Sequence, residues 1–367
     1  MVFCLFIMAV VIQCGFALYF FIRVFLLREE APLPAKERQG VSIIICTNNE
    51  ADNLKKNLPA ILLQKYRGAY EVIVVNDAST DDTEKVLQEL EKQYDNLWDV
   101  IIVPGEERIL KGKKHALSRG IAHATYEWLL LTDADCIPAS DKWLEQMVAP
   151  LAKGKEIVAG YGGYHKVKGL LNAFTRWETL HTFLQYSTYA VAGLPYMAVG
   201  RNLACTKSIM QKVQNDPDWN LTASGDDDML VRIRGTKDNF AVVCNESAFT
   251  YSNAKATWAD WIKQKQRHFS TGRNYKSDIK ALLGAYGITH ALAWLCFFVL
   301  LFCDHWDMAL ILMGIRCMVF WIVWGAAAIR VREKKLVYFF PFFDIAWLVY
   351  NFAFFPYITW KNKQLWK

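Results

Sequence analysis

The chain has 367 residues, enough for one sizeable domain with additions, and 53% of them are hydrophobic, with Trp 14, Tyr 16 and Phe 22; that share is high for a wholly soluble protein. The formal net charge of +6 gathers beside the apolar stretches, which points to anionic lipid headgroups and away from nucleic acid as a partner. The nine cysteines form no Cys-x-x-Cys pair, and Cys4, Cys14, Cys296, Cys303 and Cys317 fall in apolar segments, so they read as small packing residues and call for neither a cysteine metal centre nor an oxidising compartment.

Val2 to Leu27 carries one charge, Arg23, over about 25 residues, enough to cross a hydrocarbon core of about 30 Å. It lacks the cleavage site of a secretory signal, so residues 1–27 read as a retained transmembrane anchor. Residues 28–40, with Pro32 and Pro34, read as a linker. A polar block spans 41–278, and a membrane region, 279–367, closes the chain with apolar stretches at about 283–303, 308–329 and 336–358. Basic residues flank these segments: Arg28, Lys36 and Arg38, then Lys276 and Lys280, then Arg330, Arg332, Lys334 and Lys335. By the positive-inside rule the polar block is expected on the cytoplasmic side of a cell membrane crossed several times. The tail lysines Lys361, Lys363 and Lys367 would fall outside if the last stretch spans. Pro341, Asp344 and Pro356 open the alternative of a re-entrant hairpin, which leaves two or three spans in this region.

Within the polar block, Val41 to Cys46, Val72 to Val75, Val100 to Val103 and Trp128 to Leu131 are short apolar runs, the pattern of strands covered on both faces. Helix-like stretches lie between them near 50–63, 83–93 and 113–124, with Thr80 or Asp81 placed to cap the second and Glu84 in its first turn. This alternation predicts an α/β fold, a mostly parallel sheet with helices on both faces. The C-terminal ends of parallel strands gather along one edge, where such sheets bind ligands. Polar clusters fall at those ends: Asn48, Asn49 and Glu50; Asn76, Asp77, Ser79 and Asp81; Asp133 and Asp135. Two carboxylates one residue apart can hold Mg²⁺ or Mn²⁺ while leaving positions open for substrate phosphates. His115, His123 and His181 lack ligand spacing and read as surface or packing residues. Leu170 to Val199, rich in Phe, Tyr and Trp, reads equally as an amphipathic helix at a membrane face or as core.

Taken in order, Val41 to Glu50, Val74-Val75-Asn76-Asp77-Ala78-Ser79-Thr80-Asp81, Gly112-Lys113-Lys114-His115-Ala116-Leu117 and Asp133-Ala134-Asp135 resemble the inverting family 2 glycosyltransferases with a GT-A, Rossmann-like nucleotide-diphospho-sugar transferase fold. Thr47 and Asn48 stand where that family often has Pro and Tyr. The resemblance implies that Asn49, Glu50 and Asp77 hold the nucleotide with Lys113 nearby, and that Asp135, helped by Asp133, holds Mg²⁺ or Mn²⁺. Ser224 to Leu230 resembles the family's Glu-Asp motif, which implies Asp227 as general base with Asp226 or Asp228 as fallback, followed by Arg232. Gly200-Arg201-Asn202 resembles a Gly-x-Asn segment beside the donor sugar, which places Asn202 there. Gln264-Lys265-Gln266-Arg267-His268 resembles the Gln-x-x-Arg-Trp motif of membrane-embedded polysaccharide synthases, with Gln264 and Arg267 on the donor side and His268 in place of the Trp. Lys263 and Lys265 read equally as side chains meeting lipid headgroups.

The implied activity is metal-dependent transfer, with inversion, from a nucleotide-diphospho-sugar, with uridine the implied base, to a glycan or lipid-linked acceptor hydroxyl in cell-envelope synthesis. Without the Trp, single transfer is favoured. A processive polysaccharide synthase and a polyprenyl-phosphate glycosyltransferase are the enzymatic alternatives, and a membrane scaffold keeping only the fold is the non-enzymatic one. A transporter is disfavoured because Arg316 and Asp344 suggest no relay.

Overall fold

The protein is described from a computed structural model, in which residues 1–29, 31, 33, 34, 37–103, 110, 112–221 and 225–359 are described. The expectations on Pro32, Lys36, Ser224, Lys361, Lys363 and Lys367 lie outside these residues. The chain divides into two compact units, one built from Arg28–His165 and Met197–Ala254, the other from Met1–Leu27, Lys166–Tyr196 and the described residues from Lys255 onward.

The first unit is an α/β domain. Its strands are β1 (Val41–Thr47), β2 (Tyr70–Asp77), β3 (Leu97–Ile102), β4 (Trp128–Asp133), β5 (Ile137–Pro138), β6 (Ile157–Ala159), β7 (Gly162–Tyr164), β8 (Leu203–Thr206), β9 (Phe240–Val242) and β10 (Thr250–Ser252). A seven-stranded sheet has the order β3-β2-β1-β4-β8-β6-β9, and β5-β10-β7 form a small second sheet. β1 to β4 pair in parallel, β8 runs antiparallel to both β4 and β6, and β9 is parallel to β6. The sheet is therefore mostly parallel with one reversed strand.

Ile43, Ile45, Val72, Val74 and Leu130 pack on one face with Leu54, Leu58, Leu87 and Met147 of the covering helices. On the other face the helix Lys113–His123 comes so close that a Cβ on Gly120 would lie 2.7 Å from Ile44 Cγ2 and 3.0 Å from Val75 Cγ2. This covering on both faces is why the strands read as unbroken apolar runs. β3 is different: it lies at the sheet edge, and Trp98 and Ile101 are exposed, so it begins at Leu97, earlier than its apolar run suggests. The helix Thr83–Glu91 also differs from expectation, since its N-cap is Asp82, without a side-chain cap. Asp81 instead accepts from the backbone N–H of Thr83 at 3.0 Å and of Ala51 at 3.2 Å, tying together the starts of two helices.

The second unit is helical. Val2–Leu26, Ser277–Leu300, Trp306–Arg330 and Lys334–Phe354 are each long and apolar enough to cross a membrane. Phe340–Thr359 is one continuous helix, so among the described residues the last apolar stretch is no hairpin; Pro341 falls in its first turn, where a missing N–H breaks no helical hydrogen bond. Leu170–Val191 belongs to this unit and buries residues around most of its circumference, including Arg176, Glu178 and His181. Arg176 pairs with the buried Glu333. Arg316 and Asp344, which read as isolated charges in the sequence, pair at 2.6 Å, and Asp344 also receives Trp294 Nε1 at 2.9 Å and lies 3.2 Å from His290 Nε2.

Candidate active site

The site is set by strand register. Cys46 pairs across from Asp133 and Val75, and Asp77 closes β2, so the acids at the ends of β2 and β4 flank the end of β1. The turn after β1 is locked by Asn49, whose φ of 57° is a left-handed conformation that Asn tolerates better than most residues. Its Oδ1 accepts the Thr80 N–H at 2.7 Å and its own N–H donates to Ser79 Oγ at 2.9 Å, which joins the β1 turn to the β2 turn. Asn48 Nδ2 donates to the Asp77 carbonyl at 2.6 Å.

Lys113, the first residue of its helix, forms an ion pair with Asp133. Burial alone would lower its pKa, but Asp133 and Asp226 hold it well above the ordinary lysine value. The Cys46 thiol, pushed up to about 12 by burial, feels the charges of Lys113, Asp226, Asp133 and Asp77; these four therefore surround one strand end. Burial first and Asp133 second raise the pKa of Asp135, which Arg201 opposes and Glu50 reinforces. Glu50, Asp77, Lys113, Asp133, Asp135, Asp226 and Asp227 are thus brought into one neighbourhood.

The three consecutive aspartates separate by environment. Asp226 and Asp228 are buried in the first turn of the helix Asp226–Arg234, while Asp227 is half-buried. Asp227 accepts the Gly200 N–H at 2.7 Å and the Asp228 N–H at 2.9 Å, one on each oxygen. Burial and the adjacent Asp226 nevertheless raise its pKa to about 6. A carboxylate held by backbone donors, ionised near neutrality and still basic enough to take a proton, suits general-base work.

Asp133, Asp135 and Cys136 can bring ligand atoms within 4.8 Å of one another. The two carboxylates are the hard oxygen donors that Mg²⁺ or Mn²⁺ prefers, while the Cys136 thiol lies buried against Asp135 Oδ1 at 3.5 Å. The donor set fits such a cation.

Two expectations are altered. Asn202 is fully buried: its Nδ2 donates to the carbonyls of Tyr161 at 2.9 Å and Ala248 at 2.8 Å, and its Oδ1 accepts from Trp143 Nε1 at 2.9 Å. It latches strands and loops together and presents no polar atom to a donor sugar. Lys265 is likewise no headgroup contact, because it is buried against Glu178. Gln264 and Arg267 lie on the helix Trp258–Thr271 in the other unit. Two residues were not anticipated. Lys114, buried under Trp219 with Nζ 2.5 Å from its carbonyl, has a pKa pushed down to about 8 by burial, against the pull of Asp226 and Asp227. Arg201, in the turn leading into β8, lowers the pKa of Asp135 by its charge.

Residues 42–204 match the family described as Glycosyl transferase family 2, and residues 128–332, more than half of the chain, match Glycosyl transferase family group 2. The chain belongs to the family 2 glycosyltransferases. Among curated relatives, a probable glycosyltransferase, YdaM, of Bacillus subtilis is 26% identical over 65% of this chain and 56% of its own length. Glycosyltransferase AglE of Haloferax volcanii is 35% identical over 33% of this chain and 38% of its own. The poly-beta-1,6-N-acetyl-D-glucosamine synthase of Staphylococcus aureus is 30% identical over 31% of this chain and 26% of its own. The chain therefore spans about half or less of the length of these relatives. Among solved structures, mannosyltransferase PcManGT from Pyrobaculum calidifontis, in complex with GDP-Man and Mn²⁺, matches with a TM-score of 0.58 at 19% identity, covering 96% of this chain and 99% of that one. That likeness shows the shared GT-A fold, so this family 2 glycosyltransferase carries its strand-end acids on the expected scaffold.

Proposed function

We propose that this family 2 glycosyltransferase moves a sugar from a nucleotide-diphospho-sugar to an acceptor hydroxyl by a single displacement with inversion, on the cytoplasmic side of a cell membrane, in cell-envelope glycan or glycolipid synthesis. The observation that supports it best is Asp227, held by two backbone N–H groups and raised to about 6, beside the charges gathered at the strand ends. Asp227 takes the proton of the acceptor hydroxyl as that oxygen attacks the anomeric carbon from the face opposite the leaving group. Asp77 and the Asn49–Glu50 turn bind the nucleotide, and Lys113 lies beside the diphosphate. A Mg²⁺ or Mn²⁺ ion at Asp135 and Asp133 supplies, when bound, neutralisation of charge developing on the departing diphosphate. The Pyrobaculum enzyme of the same fold holds GDP-Man and Mn²⁺, in keeping with this donor class.

His268, in place of the Trp that holds a polymer in processive synthases, supports transfer of one sugar, whereas the staphylococcal polysaccharide synthase among the relatives favours a polymer. A labelled donor separates the two: one added sugar or a long chain, with label in the organic phase marking a lipid acceptor. The central test is substitution in the full chain in detergent. Asp227→Asn lowers kcat by about 10²- to 10⁴-fold with nucleotide binding retained, and Asp135→Asn weakens both. Near-normal turnover in Asp226→Asn, Asp227→Asn and Asp228→Asn alike would remove the assignment.

A further inference from the structure

Arg201 follows the glycine whose N–H holds Asp227, and its charge opposes the burial that raises the pKa of Asp135. Its position is unusually well built. The stem lies flat on Gly162, where a Cβ would come 2.6 Å from Nε, 2.7 Å from Cγ and 2.9 Å from Cδ. The guanidinium carbon is 4.4 Å from the centre of the Tyr164 ring, and Nη1 donates to Ser252 Oγ at 3.4 Å. The backbone is pinned as well, because the Arg201 carbonyl accepts Thr132 Oγ1 at 3.0 Å and Thr250 Oγ1 at 3.1 Å. Residues of β4, β7 and β10 therefore fix one half-buried cation beside the candidate metal carboxylates.

A guanidinium carries five N–H donors. Ser252 and Tyr164 are its hydrogen-bond partners among the described residues, so donors remain for a ligand. Stacking on an aromatic face holds the plane of the fork while leaving its edges open, and that planar edge matches phosphate oxygens. Asp133 and Asp135 would hold a divalent ion, and Arg201, whose charge acts on Asp135, would add N–H donors for an anion bound there.

We propose that Arg201 is a substrate-binding residue that takes a phosphate oxygen at this site, on the donor's diphosphate or on a phosphorylated acceptor, and that Gly162, Tyr164 and Ser252 are the residues that aim it. The inference rests on the donor reading above and adds a named phosphate ligand to it. Gly162 supplies an internal control: it has no left-handed φ, so Gly162→Ala adds only a methyl group, placed where it must push Arg201 aside.

The test uses the full chain in detergent and compares wild type with Arg201→Ala, Arg201→Lys and Gly162→Ala. Calorimetry measures binding of UDP and of GDP, each with Mn²⁺, and a second titration uses a polyprenyl phosphate in mixed micelles. Loss of about 10- to 100-fold in nucleotide affinity in Arg201→Ala, reproduced by Gly162→Ala and partly restored in Arg201→Lys, assigns the donor's diphosphate. Unchanged nucleotide binding with the same loss for the polyprenyl phosphate assigns the acceptor. Wild-type affinity for both probes in Arg201→Ala, with or without a lowered melting temperature, overturns the proposal by making Arg201 structural. A wild-type chain that binds neither nucleotide overturns the donor reading, and the micelle titration then decides Arg201 by itself. If Gly162→Ala does not fold, the Arg201 variants carry the decision.

Discussion

Asp227 must be ionised to accept a proton, and burial beside Asp226 raises its pKa to about 6. The expected pH profile of kcat/KM therefore falls as pH drops through about 6 and is flat above it on the acid side. The stability linkage has the opposite sense. With its folded value above the unfolded carboxylate value of about 4, the native chain binds the extra proton between those two values, so stability decreases as pH rises through that window. Activity gained and stability lost over one pH interval identifies the group, and a profile flat from pH 5 to 8 would show that Asp227 is not the base. Asn202 makes the contrasting case, since its amide serves Tyr161, Ala248 and Trp143. Asn202→Ala leaves the Ala248 carbonyl and Trp143 Nε1 buried without their partner, at about 1–3 kcal/mol each before relaxation, while the Tyr161 carbonyl keeps the Thr250 N–H at 3.2 Å, so the expected result is a large fall in melting temperature with unaltered nucleotide affinity in the fraction that folds. Reduced affinity at unchanged stability would instead put Asn202 in the donor pocket. These two residues also mark how far the site is legible in sequence. The acids at strand ends are readable because register and the ligand-binding edge of parallel sheets fix where they go. The direction of Asn202 and the aim of Arg201 depend on Gly160, Gly162 and Tyr164, distant in sequence, and spacing alone does not reveal them.

Among the elements, β1, β2 and β4 and the helices between them are legible because both faces of these strands are covered, which forces continuous apolar runs. β6, β8 and β9 are three or four residues long, too short for any period to show, and the reversal at β8 leaves no local mark. The helix Lys113–His123 carries its own test of how it is seated. Alanine is favoured over glycine in a helix by about 1 kcal/mol, yet a Cβ on Gly120 would lie 2.7 Å from Ile44 Cγ2, and overpacking of this kind costs about 1–3 kcal/mol. Gly120→Ala is therefore expected to lower the stability of the α/β unit, and Ile44→Ala, damaging by itself, is expected to remove that penalty when combined with it. Denaturant unfolding of the four species gives the coupling energy. Simple additivity would mean that helix and sheet do not meet as closely as this contact requires.

Across the whole molecule, the compact units are discontinuous in the chain. Leu170–Val191 leaves the polar block to join the apolar helices, and its own sequence, aromatic and only weakly patterned, reads as either membrane-face or core. What the helical unit uses to register its parts is a buried polar network. Asp344 receives Arg316 and Trp294, His290 lies 3.2 Å from it, and Arg316 Nη2 also donates to Gln13 Oε1 at 3.2 Å. Gln13 in turn donates to Thr289 Oγ1 and the Tyr286 carbonyl, each at 2.9 Å. The network draws on Val2–Tyr19, Ser277–Leu300, Trp306–Arg330 and Phe340–Thr359, so one fully buried arginine and its partners specify how four apolar helices face one another. Apolar contacts alone are permissive of rotation and slippage between such helices, and polar partners in a low-dielectric interior are not. Breaking the pair from one side should be worse than removing it. Asp344→Ala leaves the Arg316 charge buried without its carboxylate, at about 3–5 kcal/mol, whereas Arg316→Met with Asp344→Leu replaces both by apolar groups of similar size and is expected to cost much less, or to stabilise. Thermal unfolding in detergent orders the variants. If the double substitution melts as low as Asp344→Ala, the network contributes more than charge balance, because its loss then also removes the registration that Gln13, His290 and Trp294 supply.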